Sequence, residues 1–426
     1  MRDHLRIGIF TNQYPGVSGA GGIATYTRSL ATALAALGEE VHVLTPAEDG
    51  ENQNGKPRLI DGVHIHTVKT DYLPFFERFI PGARSAWVVS AAARKLVRDY
   101  KLDIFEFPNW EGAGRFFKTA PGPRVPMVVR LHTSVSEIHE IEETKMGFAE
   151  RFACRLETAQ CRAADALYVS TRAHRDRMAP ELRVPASKIS VLPLGVPDIE
   201  HAAGKTPRPR RAAPTLLYLG RLEKRKGVLD LLHAMPAIVR KIPNVRLVLI
   251  GKDRQHAPGK LTHCEYFSCA FPPELQKHVI FAGFLSDSEI AHWFEQADAF
   301  VAPSIYESFG LIFIEAMRWS LPVIGTFAGG IPEVVNDGVN GMLVEPGAPE
   351  QIALAATRLL TDDSLRLKMA AAARATYEDK FSNRVMAQRT IEHYRGVIQN
   401  DPRQTGSLRL SAPRKMESSM AGTRNV

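Results

Sequence analysis

The sequence predicts an α/β protein made of two doubly wound, parallel-sheet domains in series. Three observations carry that expectation. Short apolar strand candidates alternate with helix-period segments from the start of the chain. The alternation breaks at a proline- and arginine-rich stretch near residue 205 and then restarts. The chain also has 426 residues, too many for a single hydrophobic core.

The first unit is the clearest. RIGIF (6–10) reads as a buried strand, followed by the Gly-rich loop TNQYPGVSGAGG. IATYTRSLATALAAL carries helical periodicity and stops at Gly38, a C-cap residue. EVHVLT is the next strand, and strand, loop, helix, strand implies parallel pairing. VHIHTV, DIFEF, PMVVRLH, ALYVS and ISVLPLG continue the sheet, with SAWVVSAAARKLVRDY and AERFACRLETAQCRAA as helices between them. AAGKTPRPRRAAP then interleaves Pro207, Pro209 and Pro214 with basic residues and reads as an extended linker. This sets a first domain at 1–204, a linker at 205–214 and a second domain at 215–382.

In the second domain TLLYLG, VRLVLIG, VIFAGF, AFVAPS and LPVIGT read as strands. GVLDLLHAMPAIVRKI is a helix with Pro236 inside it, and SDSEIAHWFEQA opens with a Ser286–Glu289 capping box. LIFIEAMRWS is a third helix, and a last one spans 383–398. The remaining 399–426 is polar and mildly basic, and is expected to be disordered.

Composition narrows the functional classes. Apolar residues at 45% and charged residues at 23% are those of an ordinary globular protein. No apolar run is long enough to span a membrane, and MRDHLRIGIF reads as a first strand, not an export signal. A cytoplasmic setting with reduced thiols at Cys154, Cys161, Cys264 and Cys269 follows as an expectation. HCEYFSC is too loose to be a metal motif, so no metal is expected. The net charge of +8 suits nucleic acid, an anionic membrane or a phosphorylated substrate. The basic residues are dispersed and form no recognition pattern, so nucleic acid is not expected as a partner.

Four stretches can carry chemistry. ESFGLIFIE places Glu307 and Glu315 eight apart. On one helix they would lie ~80° and ~12 Å apart. If the helix starts near Phe309 or Gly310, Glu307 sits in the loop before it, and both acids can meet one elongated ligand. GAGGIA (19–24) fits the dinucleotide pattern G-x-G-x-x-A, but it begins nine residues after Phe10, and the second strand ends Leu44-Thr45-Pro46 without the acid that pattern needs. Its glycines still allow a ligand to approach a helix N-terminus that favours anions. GRLEKRKG (220–227) leaves a strand at the carboxyl edge of the second sheet; Arg221 and Lys226 could clamp a diphosphate, while Glu223, Lys224 and Arg225 read as a solvated charge run. FAGGIPEVV is a second close-approach loop, with Glu333 as a first-turn acid.

Together GGIATYTRSLATAL, GRLEKRKG, PSIYESFGLIFIEAMRWSLPVIGTFAGGIPEVVNDGVNGMLV and FSNRVMAQRTIEHY resemble the retaining family 4 glycosyltransferases, which have two Rossmann-like domains facing across a cleft (GT-B). The resemblance covers residues 5 to about 398. It implies that Glu307 binds the donor sugar at the reacting centre and Glu315 the ribose, with Phe309, Gly310 and Leu311 beside them. It further implies that Arg221, Lys226, Gly21 and Gly22 contact the diphosphate, and that His132, at the end of VVRLH, acts beside the sugar. A histidine at a strand end is otherwise commonly a structural hydrogen-bonder.

Two segments depart from the family pattern: RWSLP, where a small residue and glycine are usual, and PLG (193–195), where PNG is common. The implied partners are a nucleoside diphosphate sugar, consumed as substrate with no separate cofactor, and a glycan or lipid-linked acceptor in bacterial polysaccharide or glycolipid synthesis. The implied terminal helix crosses back to the first domain. No Asp-x-Asp is present, so cations and helix N-termini would replace a metal. The basic tail admits peripheral contact with an anionic membrane. The competing classes are a nucleotide-sugar epimerase of the same architecture, an NAD-dependent oxidoreductase, and a non-catalytic sugar- or nucleotide-binding protein.

Overall fold

The computed structural model describes residues 4–18, 21–47, 57–70, 79–199, 206–208 and 213–401. Its first sheet holds β1 (Arg6–Phe10), β2 (Glu40–Pro46), β3 (Arg58–Ile60), β4 (Val63–Val68), β5 (Ile104–Pro108), β6 (Met127–Arg130), β7 (Ala166–Val169) and β8 (Ile189–Val191). The order is β3-β4-β2-β1-β5-β6-β7-β8, parallel throughout except for β3 against β4. The second sheet holds β9 (Thr215–Leu219), β10 (Arg246–Ile250), β11 (Val279–Gly283), β12 (Ala299–Val301), β13 (Val323–Thr326) and β14 (Gly341–Val344). It is fully parallel in the order β11-β10-β9-β12-β13-β14. Each sheet therefore reverses direction once, between β1 and β5 and between β9 and β12, and ligands dock at such switch points.

The helices of the first domain are α1 (Gly22–Ala36), α2 (Ala83–Tyr100), α3 (Val135–Ile141), α4 (Phe148–Ala163) and α5 (Arg172–Leu182). Those that follow are α6 (Val228–Lys241), α7 (His263–Ala270), α8 (Pro273–Gln276), α9 (Asp287–Gln296), α10 (Leu311–Met317), α11 (Ile331–Val334), α12 (Pro349–Thr361), α13 (Asp363–Thr376) and α14 (Asn383–Gln399). The capping box read at Ser286 is present: its Oγ accepts from Glu289 N, and the Glu289 carboxylate accepts from Ser286 N at 2.9 Å. A second box, Ser134 with Glu137, opens α3. Two short strands, β3 and β14, escaped the sequence reading. Asp61-Gly62, both at positive φ, makes the two-residue turn that pairs β3 with β4, and the Asp-Gly dipeptide is the local signal for it.

The last helix lies against the first domain. Tyr394 of α14 donates to Glu106 Oε2 at 2.7 Å, and Tyr26 of α1 donates to the other oxygen at 2.6 Å. Arg130 lies between the Tyr26 and Tyr168 rings and donates to Leu192 O. The crossing itself is pinned where Val196 N donates to Phe381 O and Asn383 N to Val196 O. PLG belongs to this crossing: a Cβ on Gly195 would stand 2.6 Å from Ser382 O. Arg374 of α13 grips Asp198 with two bonds of 2.8 and 2.9 Å.

Half of the expected linker, 205 and 209–212, lies outside the described residues; within the rest, Arg208 donates to Phe294 O and Trp319 O. Of the expected tail, Gln399 is the last residue of α14 and 402–426 lie outside the described residues. Among the described residues no helix is long and apolar enough to cross a membrane. All four cysteines are free, and His263 of HCEYFSC turns its Nδ1 to Asp253 at 3.0 Å.

The RWSLP departure has a local cost. Trp319 is buried and stacks on Phe294 at 5.9 Å. Ser320 holds a left-handed backbone at φ 56° and buries a hydroxyl without a partner. Ser320→Gly should relieve both, raising unfolding free energy by ~1 kcal/mol in urea titration. A destabilised variant would show that the hydroxyl is bonded in solution.

Candidate active site

β9 and β12 are neighbours, so the loops leaving their carboxyl ends, 220–227 and 302–310, run side by side. Gly227 makes the approach possible. Its φ is 66°, and a Cβ there would stand 1.9 Å from Pro303 O. Ile305 N donates to Arg225 O at 2.8 Å, tying the loops again. The charges then converge. Lys226 Nζ donates to Glu307 Oε1, Ser304 Oγ donates to the same oxygen at 3.1 Å, and Arg225 Nη1 lies 3.9 Å from Glu307 Oε2. Glu223 accepts Arg221 at 2.8 Å and lies 3.3 Å from Arg225 Nε.

Burial pushes the Glu307 carboxyl up, but Lys226, Arg225 and the hydrogen bonds outweigh it and hold it below the usual carboxylate range. Burial, with help from Arg225, lowers Lys226 against the pull of Glu307. The cluster corrects the sequence reading of GRLEKRKG. Glu223 and Arg225, expected to be solvated, are buried and half-buried, with side chains 7% and 16% exposed. Arg221, expected as a clamp, is 60% exposed and pairs with Glu223. Only Lys224 of the three is a surface charge, and it reaches Glu143 of the first domain at 2.9 Å.

Gly310 caps α10 at φ 90°, and a Cβ there would strike the Phe313 ring at 2.7 Å. Glu307 therefore lies in the loop and Glu315 inside the helix, the second of the two geometries the spacing allows. Glu315 is half-buried and has no hydrogen-bond or ion-pair partner among the described residues. Burial raises its pKa, with Asp287 adding and Arg318 and Lys226 opposing. Leu311, half-buried, opens α10. Phe309 turns its ring away from the cleft onto Phe381, edge to face at 5.8 Å, so it can meet a ligand only through its main chain.

On the first domain, Asn109 holds His132 by both main-chain groups, at 2.8 Å to N and 3.1 Å from O. The ring lies edge-on to Tyr26 at 5.3 Å, and its Nε2 is buried without a partner. Burial, then the Arg130 and His174 charges, push its pKa down to about 3. The imidazole is therefore neutral across the working range. Gly21 and Gly22 are exposed at the start of α1, which has no side-chain cap. A Cβ on Gly22 would meet nothing within 4 Å, and no hydrogen bond joins either glycine to the Glu307 cluster. Gly19 and Ala20 lie outside the described residues.

The same loop carries the contact between domains. Thr133 Oγ1 donates to Ser308 Oγ at 3.1 Å, and Thr171 Oγ1 to Ser308 O at 2.7 Å. Tyr306 OH donates to Glu137, which also bonds His174 and Arg177. Behind the loop, Gly330 N donates to Glu307 O at 2.7 Å, and a Cβ on Gly329 would stand 2.3 Å from that oxygen. Glu333 is not the first-turn acid of its own helix alone. Its carboxylate accepts Arg172 N and Ala173 N at 2.9 and 2.8 Å, capping α5 of the other domain. Sequence spacing carries no signal for that role, because the partner lies 160 residues away.

Two doubly wound domains whose strand ends meet across a cleft, with a paired acid and cations on one side, define the GT-B class of glycosyltransferases. Comparison with known proteins agrees: Glycosyltransferase Family 4 matches residues 20–199, and Glycosyl transferases group 1 matches residues 205–376. The chain is 27% identical to a glycogen synthase of Mycobacterium tuberculosis, over 94% of its own length and 97% of that protein. In fold it is similar to sucrose-phosphate synthase from Thermosynechococcus elongatus, with a TM-score of 0.72 at 22% identity, covering 93% of this chain and all of that one. It is also similar to Anabaena HepE in complex with UDP-glucose, with a TM-score of 0.67 at 19% identity, covering 92% and 100%. The chain belongs to the GT-B glycosyltransferases, with a family 4 domain followed by a group 1 domain.

The neutral His132 gives a pH test. Its folded pKa of about 3 lies below the unfolded value of about 6.5, so the stability present above pH 6.5 is lost as pH falls toward 3. The melting temperature of the wild type should fall relative to that of His132→Gln across this window. A constant gap would mean that the ring titrates normally and is not buried.

Proposed function

We propose that the enzyme transfers a sugar from a nucleoside diphosphate donor to an acceptor hydroxyl, with retention of configuration and without a metal or separate cofactor. The observation that carries this reading is the pairing of two unlike acids eight residues apart. Glu307 is held ionised by Lys226 and Arg225, while Glu315 is half-buried and partnerless. Glu307 binds the sugar hydroxyls beside the reacting carbon. Glu315 accepts from the ribose hydroxyls, which supply the donors it lacks. The main chain at Phe309, Gly310 and Leu311 lies between them. Lys226, Arg225 and Arg221 meet the diphosphate, and Gly21 and Gly22 leave room for it at the start of α1. The fold neighbour recorded with UDP-glucose supports a nucleotide-sugar donor.

The acid–base chemistry points the same way. A new bond forms from acceptor oxygen to the anomeric carbon as the bond to the diphosphate breaks. The acceptor proton needs a base. His132, with a pKa of about 3, is a poor one, and Glu307 has its basicity consumed by Lys226 and Arg225. The departing phosphate oxygen is left to take the proton on the same face, which retains the configuration. Fixed cations stabilise its charge in the way a metal would. The neutral His132 donates or accepts a hydrogen bond to the sugar. A glycan or lipid-linked acceptor fits this reading, as does work at an anionic membrane face, which the +8 charge favours.

Glu307→Gln should keep the fold and nucleotide binding while transfer falls ~100-fold, about 3 kcal/mol of barrier. Wild-type turnover in that variant would remove Glu307 from the reaction. Lys226→Met should move the acid limb of the pH–rate profile upward, because Lys226 is a chief cause of the low Glu307 pKa. An unmoved limb would separate that limb from Glu307. Chelators should leave transfer intact; inactivation reversed by manganese would overturn the metal-free reading.

A further inference from the structure

A cavity of about 530 Å³ opens in the first domain at the carboxyl ends of β1, β2 and β5. Phe10 and Asn12 reach it from β1, Pro46 from β2 and Trp110 from just beyond β5. This is the switch point of the first sheet, and the volume is that of a small-molecule site. Helix α3 forms one wall through Val135, Ile138 and His139. Glu137 of the same helix receives the Tyr306 hydroxyl from the loop that holds Glu307. One short helix therefore separates the cavity from the donor cluster.

The lining is mostly apolar, with Phe10, Val89, Trp110, Ile138 and Leu156 as its larger members. Among the described residues its lining carboxylates are Glu111 and Glu150, His139 is its one imidazole, and no lysine or arginine lines it. Asn12 Oδ1 is buried without a hydrogen-bond partner, so it calls for a donor. Glu111 holds a left-handed backbone at φ 54°, fixed by its N–H donating to Glu157 at 2.9 Å. Strain of that kind collects at functional sites. Burial pushes Glu157 up to about 8, so a neutral acid backs this wall.

Resting on the transfer reading above, we infer that this cavity takes the apolar portion of an uncharged, hydroxyl-bearing acceptor, of the chemical class of alkyl or aryl glycosides. A phosphorylated sugar or polyol would bring an anion against two carboxylates with no lysine or arginine among the described lining residues to meet it. A hydroxyl can instead donate to Asn12, and an alkyl chain or ring can bury against Trp110 and Ile138.

The test needs no donor. Binding of n-octyl β-D-glucoside below its micelle concentration, methyl β-D-glucoside and glucose 6-phosphate to the full chain is measured by calorimetry and tryptophan fluorescence. Octyl glucoside should bind at least tenfold more tightly than methyl glucoside, and glucose 6-phosphate should not bind. Ala153→Trp fills the cavity from α4 and should remove the octyl advantage; Ala149→Trp, at an exposed lining position, repeats the test if the first variant does not fold. Glu150→Lys should bring glucose 6-phosphate into measurable range. Equal affinity for the two glucosides, octyl binding unchanged in a folded filled variant, or wild-type binding of glucose 6-phosphate as tight as octyl glucoside would each overturn the inference. Failure of the transfer reading looks different: no nucleoside diphosphate or nucleotide sugar raises the melting temperature, while octyl glucoside still binds.

Discussion

The structure turns on a cluster of unlike charges held in a confined space by two neighbouring loops. Lys226 and Glu307 come from loops whose strands, β9 and β12, are neighbours in the sheet, although 81 residues separate them in sequence. Isolating either charge there would cost several kcal/mol, and removing one partner of a buried pair typically costs ~3–5 kcal/mol. The loops must therefore meet in one arrangement. Gly227 and Gly310 supply backbones that allow it, the first passing against Pro303 and the second turning α10 away from the loop. The sheet order makes the ion pair possible, and the ion pair then fixes the loops. Pre-organised cations at a cleft follow without any ligand having to assemble them.

That rigidity extends to the other domain because one loop does both jobs. Glu307 meets Lys226 and Arg225 at the cleft, while its neighbours Tyr306 and Ser308 bond to Glu137, Thr133 and Thr171 of the first domain. Gly329 and Gly330 back the loop so closely that any side chain would push it forward, and Glu333, three residues after Gly330, caps α5 across the interface. A ligand that displaces the Glu307 loop must also disturb these contacts. The contact between the domains and the Glu307 cluster are therefore linked through hydrogen bonds that can be named. The terminal helix adds a second tie, with Tyr394 and Tyr26 sharing the Glu106 carboxylate beneath His132.

What was legible in the sequence follows from how local each signal is. Strands such as RIGIF and VHIHTV and the Ser286 capping box rest on periodicity and near neighbours, and they appear where the spacing places them. The position of Glu307 in a loop and Glu315 in a helix was legible because Gly310 marks the boundary. The roles within GRLEKRKG were not. A run of five alternating charges looks solvated whichever members are buried, and only the path of the 3-10 turn at Lys224–Lys226 turns Arg225 and Lys226 inward and Lys224 out. The reach of Glu333 to α5 and the packing of Phe309 on Phe381 were not legible for the same reason: those partners are far away in sequence. The short β14 follows DGVNG and carries too few residues to show a period.

The electrostatics of the two domains divide the labour of the reaction. The second domain gathers Arg221, Arg225 and Lys226 at its strand ends, while the first offers near the same cleft a neutral imidazole and a cavity lined with carboxylates and apolar groups. An anion is favoured on one side and disfavoured on the other. On the transfer reading proposed above this is a directional bias, because the charged product would be held by the cationic side of the cleft. A cationic His132 would blunt the bias by attracting phosphate toward the acceptor. Burial beside Arg130 keeps that ring neutral, and the buried Glu106 lies against Arg130 at 3.9 Å to balance its charge. The network that anchors the last helix thus also keeps the His132 side of the cleft free of a further cation.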